Sequence, residues 1–350
     1  MTHGGDIYNN KIDIDFSVNL NPVKPDADLK DAVFTGLLKS ANYPDPSQKR
    51  LKENLSKIEC VSENNLLFGN GASELILSCI RMINPKRVLL PVPCFTGYLH
   101  ALGSIPGCVT DYYELKEANG FLLTDDIINA LAEEHDLLIL TNPGNPTGRN
   151  IDGKLLGSIL NVAEEKNIKV ILDESFLFLS KAGLSEDKIG IRKNVFRIRS
   201  FTKLFSLPGI RMGYVLAEEE SIKELKGYLP EWNISAINEE VILSLLPYYN
   251  RDFIKKSYGH IEIERKRFAA LLSQLVEKVY PSDSLYIMFK AETDLYEKLL
   301  KKGILIRDLS DVPGLSPGYF RVAVRKREEN EAFIERCHSD GGAFCSDEES

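Results

Sequence analysis

The chain has 350 residues, 43% of them hydrophobic and 27% charged, with a formal net charge of −8; it is long enough for two lobes and has no overall attraction to nucleic acid. No apolar run approaches the roughly 20 residues of a membrane helix, and residues 1–10 lack a basic-then-apolar leader pattern. Cys60, Cys79, Cys94, Cys108, Cys337 and Cys345 form no CxxC pair and the five histidines lack ligand spacing, which reads as reduced thiols in a cytoplasmic protein without a structural metal.

In chain order, residues 1–40 carry His3-Gly4-Gly5-Asp6-Ile7-Tyr8 and Asp15-Phe16-Ser17-Val18-Asn19-Leu20-Asn21-Pro22. Alone these read as a chain start and a strand, and the segment is expected to join a smaller C-terminal domain. From 41 to 220 a large domain is expected. Short apolar runs at 66–69, 87–91, 109–114, 137–141, 169–173, 195–200 and 213–217 alternate there with amphipathic stretches such as 125–135 and 153–166. That alternation predicts an α/β fold with a mainly parallel sheet between helices. Ligand sites in such sheets gather at the carboxyl ends of strands. After 218 the pattern changes to helical spacing over 221–278, strand candidates at 285–290, 304–307 and 319–324, and a helix over 328–337. This predicts a smaller α+β domain over 221–337. The Gly-, Ser- and acid-rich tail 338–350 is expected to be mobile.

Four stretches could carry chemistry. Ser200-Phe201-Thr202-Lys203, followed by Pro208-Gly209-Ile210-Arg211-Met212-Gly213, puts a lysine just past a strand, with a hydroxyl and an arginine able to reach one anion. A lysine there could form a Schiff base with a carbonyl cofactor. Thr141-Asn142-Pro143-Gly144-Asn145-Pro146-Thr147-Gly148 follows another strand, Asp173 ends a third, and Phe68-Gly69-Asn70-Gly71-Ala72-Ser73 opens a helix whose free N–H groups suit a phosphate. Singly, each has an ordinary reading: a solvated lysine, a tight turn, a helix cap, a glycine turn.

In this order, the four together resemble the class I/II aminotransferase family of pyridoxal-phosphate enzymes, over nearly the whole chain. The resemblance implies a fold type I architecture, with a mainly parallel seven-stranded sheet in the large domain. It implies that Lys203 joins pyridoxal 5′-phosphate, that Asp173 pairs with the ring nitrogen, and that Asn145 bonds the phenolic oxygen. It implies Gly71, Ala72, Ser73, Ser200 and Arg211 around the phosphate, and Phe95 stacked on the ring. Tyr43, in Asn42-Tyr43-Pro44, resembles a tyrosine that reaches the cofactor phosphate of a second subunit, which implies a homodimer. Arg321 would hold the substrate carboxylate. Phe176 departs from the family's common tyrosine, so the phenolic oxygen loses a donor there.

The HGG start, the Asn19 stretch, and Gly303-Ile304-Leu305-Ile306-Arg307-Asp308 running on to Tyr319-Phe320-Arg321-Val322-Ala323-Val324-Arg325 look like the threonine-phosphate decarboxylase branch. That branch makes an aminopropanol phosphate for cobalamin biosynthesis, and histidinol-phosphate aminotransferase is its cousin. The likeness implies that His3, Gly4, Gly5 and Arg325 contact a substrate phosphate and that Asn19 borders the cleft. Decarboxylation of L-threonine O-3-phosphate and transamination of the histidinol-phosphate type both stay open, because rotation about one substrate bond separates them. A non-catalytic cofactor-binding half of a regulator is the remote alternative; the acidic charge and the retained Lys203 speak against it.

Overall fold

The computed structural model describes residues 4–185 and 189–338; His3 and the tail from 339 onward lie outside them. A short strand β1 (Ile14–Asp15) precedes β2 (Leu66–Gly69), β3 (Arg87–Val92), β4 (Val109–Glu114), β5 (Leu137–Thr141), β6 (Lys169–Asp173), β7 (Val195–Ser200) and β8 (Gly213–Leu216). Strands β2 to β8 form one seven-stranded sheet in the order β2-β8-β7-β6-β5-β3-β4. Only β8 runs against its neighbours within that sheet. The carboxyl ends of β2, β5, β6 and β7 therefore share one edge.

Burial explains why these runs read so clearly. In β5 and β6 the residues Leu137–Leu140 and Val170–Asp173 are all buried, as a strand covered on both faces requires. Helix Ala72–Ile83 covers one face, with Leu75, Ile76 and Ile80 against Val88, Ile139, Ile171 and Phe196. Helix Gly153–Glu165 covers the other, with Leu156, Ile159 and Leu160 against Leu138, Leu140, Val170 and Leu172. Asp152 starts that second helix by accepting from the N–H groups of Lys154 and Leu155.

The stretch 125–135 differs from its predicted helix and keeps a single turn, Ile127–Ala130. Asp126 spends its carboxylate on Thr124 and Tyr113 instead of capping. The Ala132 N–H donates to the His135 ring, so the backbone leaves the helix at Leu131.

Beyond Glu218 come helices Glu219–Lys226, Ala236–Leu245 and Arg251–Leu272. Ile234, Val241, Leu245 and Tyr249 share a buried cluster with Phe68, Phe201 and Tyr214. Then follow β9 (Lys278–Val279), β10 (Tyr286–Lys290), β11 (Ile304–Leu305), β12 (Arg307–Asp308) and β13 (Tyr319–Ala323). An antiparallel sheet runs β12-β13-β10-β9, and β11 pairs instead with β1, Ile14 beside Ile304. The predicted strand at 304–307 is thus two strands in two sheets, divided at Ile306. Phe16, Phe268, Phe289, Phe320 and Phe333 fill the core beneath.

Candidate active site

The shared strand edge opens into a cleft of about 340 Å³. Ala72, Ser73, Phe95, Asn145, Asp173, Ser200, Lys203 and Arg211 line it from the large sheet, and Gly4, Asn19, Arg307 and Arg321 from the N-terminal segment and the small sheet.

Lys203 lies in the one-turn helix Phe201–Leu204 that follows β7. Its Nζ stands 5.6 Å from the centre of the Phe176 ring. Burial pushes its pKa down to about 8, helped by the charges of Arg321 and Arg211 and opposed by Asp173. An amine so lowered is partly unprotonated near neutrality and can attack a carbonyl.

Asp173, the last residue of β6, is buried. Its Oδ2 accepts from the Tyr98 hydroxyl at 2.7 Å and its Oδ1 from the Ser175 N–H at 2.9 Å. Burial raises its pKa and these two donors counter the rise. The Tyr98 oxygen also lies 2.8 Å from Thr141 Oγ1. Tyr98 escapes sequence reasoning because a tyrosine in an apolar turn looks like plain core.

Strand alternation supports this edge from behind. Arg197 and Arg199 fall on one face of β7 and Ser200 on the other. Glu174 accepts from Arg197 Nη2 at 3.0 Å and from Arg199 Nε at 2.8 Å. Arg199 also reaches Glu59. These buried charges are paired, as they must be.

At the opposite corner, Gly71 takes φ 85° just before helix Ala72–Ile83. A Cβ at Gly71 would stand 2.7 Å from Arg211 Nη2, so glycine lets the guanidinium close on the helix start. Thr202 Oγ1 is buried and has no hydrogen-bond partner among the described residues, although Thr202 lines the cleft. An orphaned hydroxyl beside Ser73, Ser200, Arg211 and free helix N–H groups is the donor set a phosphate ester satisfies. The residues therefore fit pyridoxal phosphate.

Across the cleft, Arg321 donates from Nη1 to Asn145 Oδ1 at 2.5 Å and from Nη2 to the Ser17 carbonyl at 2.9 Å. With its amide oxygen turned inward, Asn19 accepts from Arg321 at 3.3 Å. Burial lowers the Arg321 pKa to about 10. Phe176 meets Tyr286 edge-on at 5.2 Å, and the Tyr286 hydroxyl donates to the Gly144 carbonyl at 2.7 Å.

Arg325 is a correction. It does not line the cleft; Nε donates to Glu329 Oε1 at 2.7 Å and Nη1 to the Asp15 carbonyl at 3.0 Å. Strand β13 ends at Ala323, and the helix Arg327–His338 that follows brings Glu329 back onto Arg325. The arginine that does face the cleft is Arg307, directly opposite Arg321 across β12 and β13. Gly4 borders the cleft, whereas the Gly5 N–H donates to Ser17 Oγ at 2.7 Å and Gly5 does not line it. Tyr43 is 80% exposed, beside the Trp232 ring at 4.7 Å, and does not line the cleft of its own chain.

The sequence profile of the family described as aminotransferase class I and II matches residues 11–337. The chain is 36% identical over 342 residues to a protein of Caldanaerobacter subterraneus subsp. tengcongensis provisionally named threonine-phosphate decarboxylase, covering 95% of this chain and 92% of that one. It is 30% identical over 327 residues to the threonine-phosphate decarboxylase of Salmonella typhimurium, covering 92% and 89%. Among solved structures, the histidinol-phosphate aminotransferase from Clostridium acetobutylicum superposes with a TM-score of 0.80 at 26% identity, covering 93% of this chain and 98% of that one.

Proposed function

Because the chain belongs to the aminotransferase class I and II family, we propose that it binds pyridoxal 5′-phosphate at Lys203 and removes carbon dioxide from a small phosphorylated amino acid of the L-threonine O-3-phosphate kind. One observation carries the substrate class. Arg307 and Arg321 are both buried, face the same cleft and stand directly opposite each other on neighbouring strands. Like charges so placed repel, and an anionic ligand removes the penalty. A carboxylate and a phosphate on one short molecule supply the two anions.

Pyridoxal phosphate, when bound, offers an aldehyde to the substrate amine and a ring that takes up the electron pair of a broken Cα bond. This chain's residues do the rest. Gly71, Ala72, Ser73, Ser200, Thr202 and Arg211 hold the phosphate, Phe95 covers the ring face, Asn145 serves the phenolic oxygen, and Asp173 serves the ring nitrogen as a carboxylate. Arg321 and Arg307 hold the substrate at both ends, with Asn19 and Gly4 alongside, so the direction of the Cα–carboxylate bond is set by the protein. Lys203 Nζ then delivers the proton that replaces the departing carbon dioxide.

The reading includes a cofactor half in 41–220 and a substrate-arginine half in 221–337 with 1–40. It also includes a homodimer in which Tyr43 reaches the partner's site. Val33, Phe34, Leu37 and Leu38 support that pairing, since they leave an apolar face of helix Lys30–Lys39 exposed or nearly so. Cytoplasmic placement is supported by the described cysteines, all of them free. No helix among the described residues is long and apolar enough to cross a membrane.

Likeness to the histidinol-phosphate aminotransferase structure keeps transamination as the second reading. Incubation with L-threonine O-3-phosphate should release carbon dioxide stoichiometrically with an aminopropanol phosphate. Glutamate formed from histidinol phosphate and 2-oxoglutarate, without carbon dioxide from the first substrate, would give the chain to the transaminases.

A further inference from the structure

Arg307 does not stand unaided at its side of the cleft. Its Nη2 donates to Asp311 Oδ1 at 2.7 Å and its Nη1 to the Asp308 carbonyl at 2.5 Å. Asp311 sits in the loop that leaves β12, and Leu309 and Val312 of that loop line the cleft. The other carboxylate oxygen of Asp311, Oδ2, is buried and has no hydrogen-bond partner among the described residues. A carboxylate oxygen left this way is costly. The loop accepts that cost at one place, beside a cleft arginine.

Arg321 is held differently. The Asn145 side chain and the Ser17 carbonyl take its donors, and both are neutral. So of two arginines facing each other across one strand pair, one is met by a carboxylate and the other by neutral acceptors. The Arg307–Asp311 pair lessens the repulsion between the two guanidinium groups. It also fixes the plane of a long side chain that would otherwise be free to rotate. A guanidinium recognises phosphate as a planar fork, so its plane decides whether both oxygens are met.

Resting on the reading that Arg307 meets the substrate phosphate, we propose that Asp311 is a positioning residue that sets the preference for a phosphorylated substrate. It acts through Arg307 and touches no reacting atom. The carboxylate end of the substrate, held by Arg321, does not depend on it.

The test compares holoenzyme binding of L-threonine O-3-phosphate and of L-threonine, read by rapid-mixing absorbance of the bound cofactor before the first turnover, with kcat and KM for carbon dioxide release alongside. The proteins are wild type, Asp311→Asn, Arg307→Gln and the double variant. Asp311→Asn should weaken the phosphorylated ligand about tenfold and raise its KM by the same factor, with kcat within about twofold. Threonine binding should stay within about twofold, which also shows that the variant is folded. The double variant should be no weaker than Arg307→Gln alone. Equal losses for both ligands, or additive losses in the double variant, would overturn the role of Asp311 and leave the substrate reading standing. A wild type that binds threonine phosphate no better than threonine would overturn the reading beneath and this proposal with it.

Discussion

Burial and two neighbouring guanidinium groups hold the Lys203 amine at about 8, and this predicts how the protein without its cofactor takes it up. Only the neutral amine attacks, so the uptake rate should climb as pH rises and level off above about 8. Stopped-flow absorbance would show it; a rate still climbing about tenfold per pH unit between about pH 8 and about pH 9 would mean the amine is not depressed. On the proposed reading Asp173 must be charged to serve a protonated ring, yet burial pushes its pKa up and the Tyr98 hydroxyl and Ser175 N–H resist that. Tyr98→Phe removes one of the two donors. Its kcat should fall about tenfold, in line with one hydrogen bond of roughly 1.4 kcal/mol, with cofactor still bound. The acid limb of the rate profile should move to higher pH, because Asp173 then gains its proton sooner. An unmoved acid limb would reduce Tyr98 to packing. At this scale the sequence points to Lys203, Asp173, Asn145 and Ser200, since each lies at a strand's carboxyl end or within a few residues of it, and to Arg211, two residues before β8; all five line the cleft. It does not show Tyr98, whose hydroxyl meets Asp173 only once the fold brings helix Gly97–Leu102 to the end of β6. Nor does it separate Arg307 from Arg325: β13 stops at Ala323 and a helix turns the later arginine onto Glu329.

Elements whose apolar pattern answers to one sheet were legible, and those answering to two were not. The seven strands of the large sheet match their expected runs to within a residue at either end, and β5 and β6 read most plainly because they are buried on both faces. The stretch 304–307 is equally apolar, but backbone pairing splits it between β1 and β13, and no periodicity reports a change of partner. A further contact between distant elements joins the segment after β4 to the small sheet. Glu117 Oε1 accepts from the Tyr280 hydroxyl at 2.5 Å and Lys278 Nζ at 2.9 Å, and Oε2 from the Tyr319 hydroxyl at 2.9 Å. The Tyr280 hydroxyl is the first cause that brings Glu117 down to about 2. A depressed carboxyl contributes stability that is whole above its unfolded pKa, about 4.3, and is lost as pH falls toward its folded one. Urea titrations of wild type and Glu117→Gln should therefore differ at pH 7 and converge as pH drops from about 4 toward about 2. The side chain is partly exposed to water, so the difference at pH 7 should not exceed about 1 kcal/mol. A gap that stays constant below pH 4 would show that the carboxylate charge is not what holds the two elements.

The whole molecule leaves its apolar surface uneven. Phe34 is 61% exposed and Leu38 65%, one turn apart on helix Lys30–Lys39, and Tyr43 follows at 80%. The helix cannot be shifted to hide them: a Cβ at Gly36 would stand 2.5 Å from the Ile237 Cα, so its other face is already closed on helix Ala236–Leu245. On the homodimer reading, a second copy of the chain would cover this face and carry Tyr43 toward the partner's cleft. Mixed dimers test this directly. Lys203→Ala should be inactive, because it lacks the amine. Tyr43→Ala should bind cofactor weakly and keep a small fraction of activity. If each site takes Lys203 from one protomer and Tyr43 from the other, a mixed dimer of these two variants contains one fully wild-type site. The other site lacks both groups. Denaturing and refolding an equal mixture makes about half of the dimers mixed, so activity should rise to about a quarter of wild type, well above the mean of the two parents. If Tyr43 served its own protomer's site, or none, every mixed dimer would carry one site without Lys203 and one without Tyr43. The mixture would then match that mean, and the shared site would be wrong.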